Sequence, residues 1–240
     1  MKRSELLGQL TANPSAHPCP RCGHVIRAWA HENTLTCDHC HLLFKKGSTR
    51  LSPFETILNT TKEMGASDAI ILKPQQVEVN PELAELYNPS GCDFFGQCKN
   101  HPPHLTTPEE FQVMLDHARA VLVFRVDMPN NLFMCSDRRV CFQILHELAA
   151  NIENCASENG YPGSSAYAGG SCRDIFCPHE ISCDVIDKNR PCRYPDKARP
   201  SISGCGVDVV KLMAISGWSE VHREMRMQEM ACVCGLVLLA

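Results

Sequence analysis

Long hydrophobic runs are missing: no stretch of about 18 apolar residues occurs, so no transmembrane helix is expected. An excess of basic charge is missing too. The chain carries 23 Lys+Arg against 27 Asp+Glu, a formal net charge of -4, which argues against nucleic acid as a partner. No basic amphipathic stretch argues for a membrane surface. The N-terminus, MKRSELLGQLTANPSAHPCPRC, begins with positive charge, but its apolar part, LLGQL, is too short for a signal-peptide core. The chain is therefore expected to stay in the cytoplasm. There is no G-x-x-x-x-G-K-[ST] loop, no G-x-G-x-x-G fingerprint and no G-x-S-x-G elbow. The patterns H-x-x-x-H and H-E-x-x-H are absent, as is the C-x3-C-x2-C run that resembles radical-adenosylmethionine enzymes. An ATP, NAD or radical enzyme is thereby disfavoured. A Cys/His nucleophile pair could be assembled anywhere, since both residues are plentiful, and nothing in the sequence singles one out.

Cysteine is abundant. There are 16 in 240 residues, within an ordinary globular composition of 44% hydrophobic and 21% charged residues. The length suits one large domain, or a medium domain plus a small one. Cytosolic thiols are kept reduced, so dense cysteine points to metal or redox chemistry rather than to disulfides. Core packing suits scattered cysteines, but not clusters flanked by Gly, Pro and Arg.

KKGSTRLSP (45–53) reads as a polar linker and sets a boundary near residue 50, dividing the chain into 1–50 and 51–240. Beyond it, helices are expected over 53–65, 106–118, 138–160 and 207–218. Thr107, Pro108 and Glu110 supply strong start signals for the second of these. Its buried face is expected at Phe111, Met114, Leu115 and Ala118, and that of the long helix at Ile144, Leu145, Leu148 and Ile152. Strands are expected at DAIILKP, at AVLVFRV as a central strand, at SSAYAGG, and at the terminal EMACVCGLVLLA. The expected fold is an α/β or α+β layered domain with Cys-rich metal-binding loops, plus a small N-terminal zinc ribbon.

CPRCGH and CDHCH place Cys19, Cys22, Cys37 and Cys40 in two C-x-x-C knuckles fourteen residues apart. Each knuckle turns two thiolates toward one ion, and the second pair completes the tetrahedron that zinc prefers. So small a unit buries little core, and metal binding supplies folding free energy on the order of 10 kcal/mol. The pattern resembles a zinc ribbon, with rubredoxin-like iron a minor alternative. Ribbons often dock other molecules. The basic residues Arg21, Arg27, Lys45, Lys46 and Arg50 are too few to argue for phosphate over a solvated face.

GGSCRDIFCPHEISCDVIDKNRPCRYPD (169–196) carries Cys172, Cys177, Cys183 and Cys192, separated by four, five and eight residues. These loops are wider than most zinc knuckles and suit an iron–sulfur cluster, which spreads its ligands over a cube. Arg173, Arg190, Arg193, Lys197 and Arg199 surround the thiols. They could offset the negative charge of a thiolate-bound [4Fe–4S] cluster or attract an anionic substrate.

GGSC, RPCRYPDKARPS and GVDVVKL, with MGASDAIILKP upstream and GLVL at the end, resemble the signature of a family of predicted metal-binding proteins, domain of unknown function 2284. The resemblance spans about residues 53–240 and leaves the ribbon outside. It implies metal binding and iron–sulfur-like ligation, and no particular reaction. The family's GGxC is usually followed by closely spaced cysteines; Ile175 falls where the second would stand. In the partner loop, SGCDFFGQCKNHPPH, Cys92 matches a family cysteine, Pro89 replaces its usual partner, Cys98 is additional, and His101 stands where the family has Cys before Pro-Pro. Cys92, Cys98, His101 and His104 therefore form a candidate second metal site, the alternative being a Pro-rigid loop that has lost its metal.

The remaining cysteines are read mainly as packing residues: Cys135, Cys141 and Cys155 near helices, and Cys232 and Cys234 on one strand face. Cys205, close to the stretch, could replace a ligand. The expected function is an iron–sulfur protein serving electron transfer with a partner redox enzyme docked through the ribbon. The alternatives are a cluster-dependent enzyme whose open iron acts as Lewis acid on a small anion, and a structural zinc protein acting as an interaction module.

Overall fold

A computed structural model describes residues 14–20, 24–29, 31–39, 43–47, 52–135, 138–219 and 229–240. The chain divides into two compact units between Thr56 and Ile57. The first holds two antiparallel hairpins, β1 (Ser15–Pro18) with β2 (Val25–Ala28), and β3 (Thr34–Thr36) with β4 (Leu43–Lys45). Its core is Cys19, Ala28, Leu35, Cys37 and Phe44, with Ile26 packed against them. Two of the five residues of this buried cluster, Cys19 and Cys37, are cysteines.

Helix α1 (Pro53–Glu63), which contains that division, follows a reciprocal cap, and the second unit continues from it. The Ser52 N–H donates to Glu55 Oε2 at 2.8 Å, and the Glu55 N–H to Ser52 Oγ at 3.2 Å. The strands β5 (Asp68–Leu72), β6 (Ala120–Pro129), β7 (Ser165–Tyr167) and β8 (Met230–Leu239) form a four-stranded sheet in the order β5-β6-β8-β7. Every neighbouring pair is antiparallel, so the layered domain is α+β. The two inner strands, β6 and β8, pair from Ala120↔Leu239 to Pro129↔Met230. A Cβ at Gly235 would lie 2.6 Å from Phe124 and 2.8 Å from the Tyr167 carbonyl, so only glycine lets β8 carry its neighbours this closely.

The short α2 (Pro81–Glu85) precedes α3 (Pro108–His117), which starts with the expected capping box between Thr107 and Glu110. On one sheet face, Val121, Val123, Leu236 and Leu238 pack with Phe111 and Leu115 of α3 and Leu212 of α8 (Val209–Ile215). Met114 is 37% exposed rather than buried, and its sulfur accepts a hydrogen bond from Tyr167 Oη at 3.6 Å. By strand alternation the buried Leu122, Phe124, Val237 and Leu239 face the other layer. There the turn α4 (Asn130–Phe133) leads into α5 (Arg138–Glu158), which packs on β7 and β8. Leu145, Leu148 and Ile152 are buried as expected, but Ile144 is 47% exposed while His146 is fully buried. The inward stripe is therefore turned, because this helix covers a polar loop as well as the sheet. Among the described residues no helix is long and apolar enough to cross a membrane.

Candidate metal centre

The Cys-rich stretch leaves the sheet edge after β7 and returns beside it, forming a closed neck. The Ala168 N–H donates to the Pro200 carbonyl and the Ile202 N–H to the Ala168 carbonyl, both at 2.9 Å. His146 reinforces this neck from α5. Its Nε2 donates to the Gly169 carbonyl at 3.0 Å, and its Nδ1 accepts from the Arg199 N–H at 3.0 Å, which fixes the neutral tautomer. Burial holds His146 down at about 4, so it stays neutral. Arg199 pairs with Glu153 at 2.6 Å and donates to the Pro195 and Ala198 carbonyls. Gly170, at φ +81°, lies where a Cβ would come within 2.9 Å of Phe142.

From this neck run α6 (Cys172–Phe176) and α7 (Asp184–Asp187). Cys172, Cys177, Cys183 and Cys192 all line one cavity of about 30 Å³, room for roughly one water molecule. A fifth thiol, Cys98, lines it too. The Ser201 N–H donates to the Asn100 carbonyl at 3.0 Å, tying the partner loop to the neck, and Cys98 Sγ lies 3.6 Å from Ser171 Oγ. Cys98 is 1% exposed and Cys172 9%, whereas Cys177, Cys183 and Cys192 are half-buried. The buried pair forms a fixed wall, and the other three thiols sit on the outer loop.

Within the wall, Cys98 is held toward thiolate by a hydrogen bond from Cys172, the Ser171 hydroxyl and the Arg173 and Asn100 amides. Cys172 keeps its proton because Cys98 and burial oppose a second charge. On the loop, the Tyr194 N–H donates to Cys192 Sγ at 3.4 Å. Burial raises Cys177 while Arg193 pulls it down. Phe176 and Tyr194 stack at 5.4 Å and close the apolar side.

The cations around the thiols are largely engaged within the protein. Arg193 pairs with Asp184 at 2.8 Å and Glu180 at 3.1 Å, and Lys197 with Glu147 at 2.7 Å. Arg173 clamps the Cys177 and Glu180 carbonyls. Arg190 contributes to holding the Asp184 carboxyl below its usual range, behind Lys188 and Arg193. These residues chiefly fold the loop, although Arg173 and Arg193 also face the cavity.

The partner loop divides its four sequence candidates. Cys98 joins the thiol cavity, and His104 is exposed. Cys92 and His101 meet each other, Sγ to Nε2 at 3.1 Å, in a separate chamber of about 190 Å³. The turn made by the His101 N–H on the Cys98 carbonyl sends the two groups apart. Helix α6 separates the cavities: Cys172, Arg173 and Phe176 line one, Asp174 and Ile175 the other.

A family model described as predicted metal-binding protein, DUF2284, matches residues 70–239. The chain belongs to this family. No curated protein and no solved structure matches it. The family description supports metal binding without naming the metal, and the match begins inside β5, beyond the N-terminal unit.

A metal-binding family member needs donors, and five thiols around one cavity are a soft set suited to zinc or to an iron–sulfur centre. Among the described residues no three Cys, His, Asp or Glu side chains yet converge on a single-ion position. The thiols are grouped around a volume rather than a point. In the N-terminal unit, Cys19 and Cys37 share one buried cluster, one from each knuckle. Their partners Cys22 and Cys40 lie outside the described residues.

Of the other thiols, Cys141 and Cys155 are buried on α5 as expected, and Cys135 is exposed. Cys205 lies in the main core, where burial pushes it up to about 12, and it is no part of the thiol cavity. Cys234 is buried and likewise raised to about 12; Cys232 is half-buried.

Proposed function

We propose that the thiol cavity holds an iron–sulfur cluster, ligated by Cys98 and Cys172 together with thiols from Cys177, Cys183 and Cys192. On this reading the protein works in the cytoplasm and exchanges electrons with a partner enzyme. The N-terminal unit would be a zinc ribbon that docks that partner. The observation that carries the reading is the meeting of five thiols from two separate loops around one cavity. The bound cluster would supply one-electron chemistry. The chain's own residues hold the wall thiols rigid, donate amide hydrogen bonds to sulfur and close one side with stacked aromatic rings.

The test is anaerobic purification with a visible spectrum and an iron, sulfide and zinc count. A brown protein that bleaches with dithionite supports the reading. A colourless protein with zinc alone replaces it with the structural zinc module, which the cavity of about 30 Å³ would suit. A second reading, an open-iron enzyme acting on a small anion, draws on the chamber that shares α6 with the thiols. Paramagnetic resonance spectra that shift on adding small anions would favour it over electron transfer.

A further inference from the structure

The chamber on the other side of α6 brings together a thiol, an imidazole and a guanidinium. Cys92 Sγ is 3.1 Å from His101 Nε2. His101 is 3% exposed, and its Nδ1 has no hydrogen-bond partner among the described residues. Tyr87 and Phe94 meet the imidazole edge-on at 5.5 Å and 6.4 Å, so packing sets the ring plane with Nε2 toward the thiol. Cys92 itself is only half-buried and can be reached. Arg138, at the start of α5, lines the same chamber and is exposed. It makes no ion pair among the described residues, whereas the adjacent Arg139 reaches, at 3.7 Å, the Asp174 carboxylate that also lines the chamber and offsets its charge. Phe94 and Phe142 supply apolar wall, and the volume of about 190 Å³ is below that of a drug-sized pocket.

We propose that this chamber binds a small organic acid carrying an electrophilic carbon, with its acid group on Arg138 and Cys92 as the nucleophile. In the reaction the Sγ–C bond forms while the bond from carbon to its leaving group breaks. The leaving group departs with the electron pair, and the thiol proton passes to His101 Nε2. Burial pushes His101 down to about 4, so the imidazole is neutral and takes the thiol proton on Nε2 only as the Sγ–C bond forms, and the guanidinium selects anions over neutral analogues of the same shape. Nothing in this step uses the thiol cavity, so it stands apart from the identity of any metal there.

Iodoacetate and iodoacetamide, an anionic and a neutral probe of similar size, test it. The full chain is treated with each anaerobically, and modification of Cys92 is timed by peptide mass spectrometry. Iodoacetate is expected to modify Cys92 at least as fast as iodoacetamide does, against the charge repulsion that slows it at an ordinary thiolate. Arg138→Gln should slow the iodoacetate reaction about tenfold and leave the iodoacetamide rate unchanged. His101→Gln should slow both by about tenfold or more. Cys92→Ser should keep the metal content of the parent protein. A preference for iodoacetamide that Arg138→Gln does not alter would overturn the proposal, as would loss of metal in Cys92→Ser, which would make Cys92 a ligand. Should His101→Gln fail to fold, the exposed Arg138 variant decides alone.

Discussion

The two sides of α6 carry different chemistry built from the same two loops. One side gathers five thiols, with Arg173 and Arg193 already bonded to carbonyls and carboxylates. The other holds one thiol against one imidazole, beside an arginine with no carboxylate partner among the described residues. The partner loop supplies a thiol to each, Cys92 and Cys98. A helix of five residues can divide two sites only if its ends are held: the neck at Ala168, Pro200 and Ile202 holds the first, and the Arg173 clamp on the Cys177 and Glu180 carbonyls holds the second. Site identity here follows from which side of a pinned loop a residue faces, more than from its spacing in the chain.

The largest effect should come from loosening the neck that both sides share. Arg199→Ala leaves Glu153 unpaired in a mostly buried position and should lower stability by about 3 kcal/mol or more, measured by denaturant unfolding. It should also reduce both metal content and Cys92 alkylation. If only one falls, the two sides do not depend on a common neck. A change confined to the wall should separate them: Cys172→Ser should remove most of the metal while leaving the alkylation rate of Cys92 within about twofold.

Acid should act through His146. Its folded-state value is about 4 against an ordinary 6.5, so the unfolded chain takes the proton first. The stability this histidine contributes is complete above about pH 6.5 and is lost as pH falls toward 4, by up to about 3 kcal/mol. His146→Gln should flatten that part of the profile in urea titrations between those limits. The smallest effect should be at the outer loop. Cys183→Ser should leave at least about half of the metal bound, because four of the five thiols remain and the wall pair is intact. Complete loss would show that the outer thiols are as indispensable as the wall.

Much of the fold was legible in the sequence because its signals are local. The Thr107–Glu110 box, the β-branched run of β6 and the long period of α5 each lie within a few residues of the structure they specify. The stretch itself was legible as a group, since its four cysteines do share a cavity. Cys98 was grouped with Cys92, His101 and His104 because spacing measures distance along a loop and not the direction in which a turn sends each side chain. The sequence offers Arg199 only as a cation beside the thiols and does not single out His146, because their partnership spans 53 residues. A histidine next to Leu145, beside the expected inward positions, was the available signal.

The most direct test is the iron and sulfide content of the wild-type chain and of Cys98→Ser, both prepared anaerobically. Wild type should carry roughly four irons and four sulfides per chain, and Cys98→Ser should lose most of both. An iron-free wild type, or an iron content unchanged by the exchange, would contradict a cluster anchored on the Cys98–Cys172 wall.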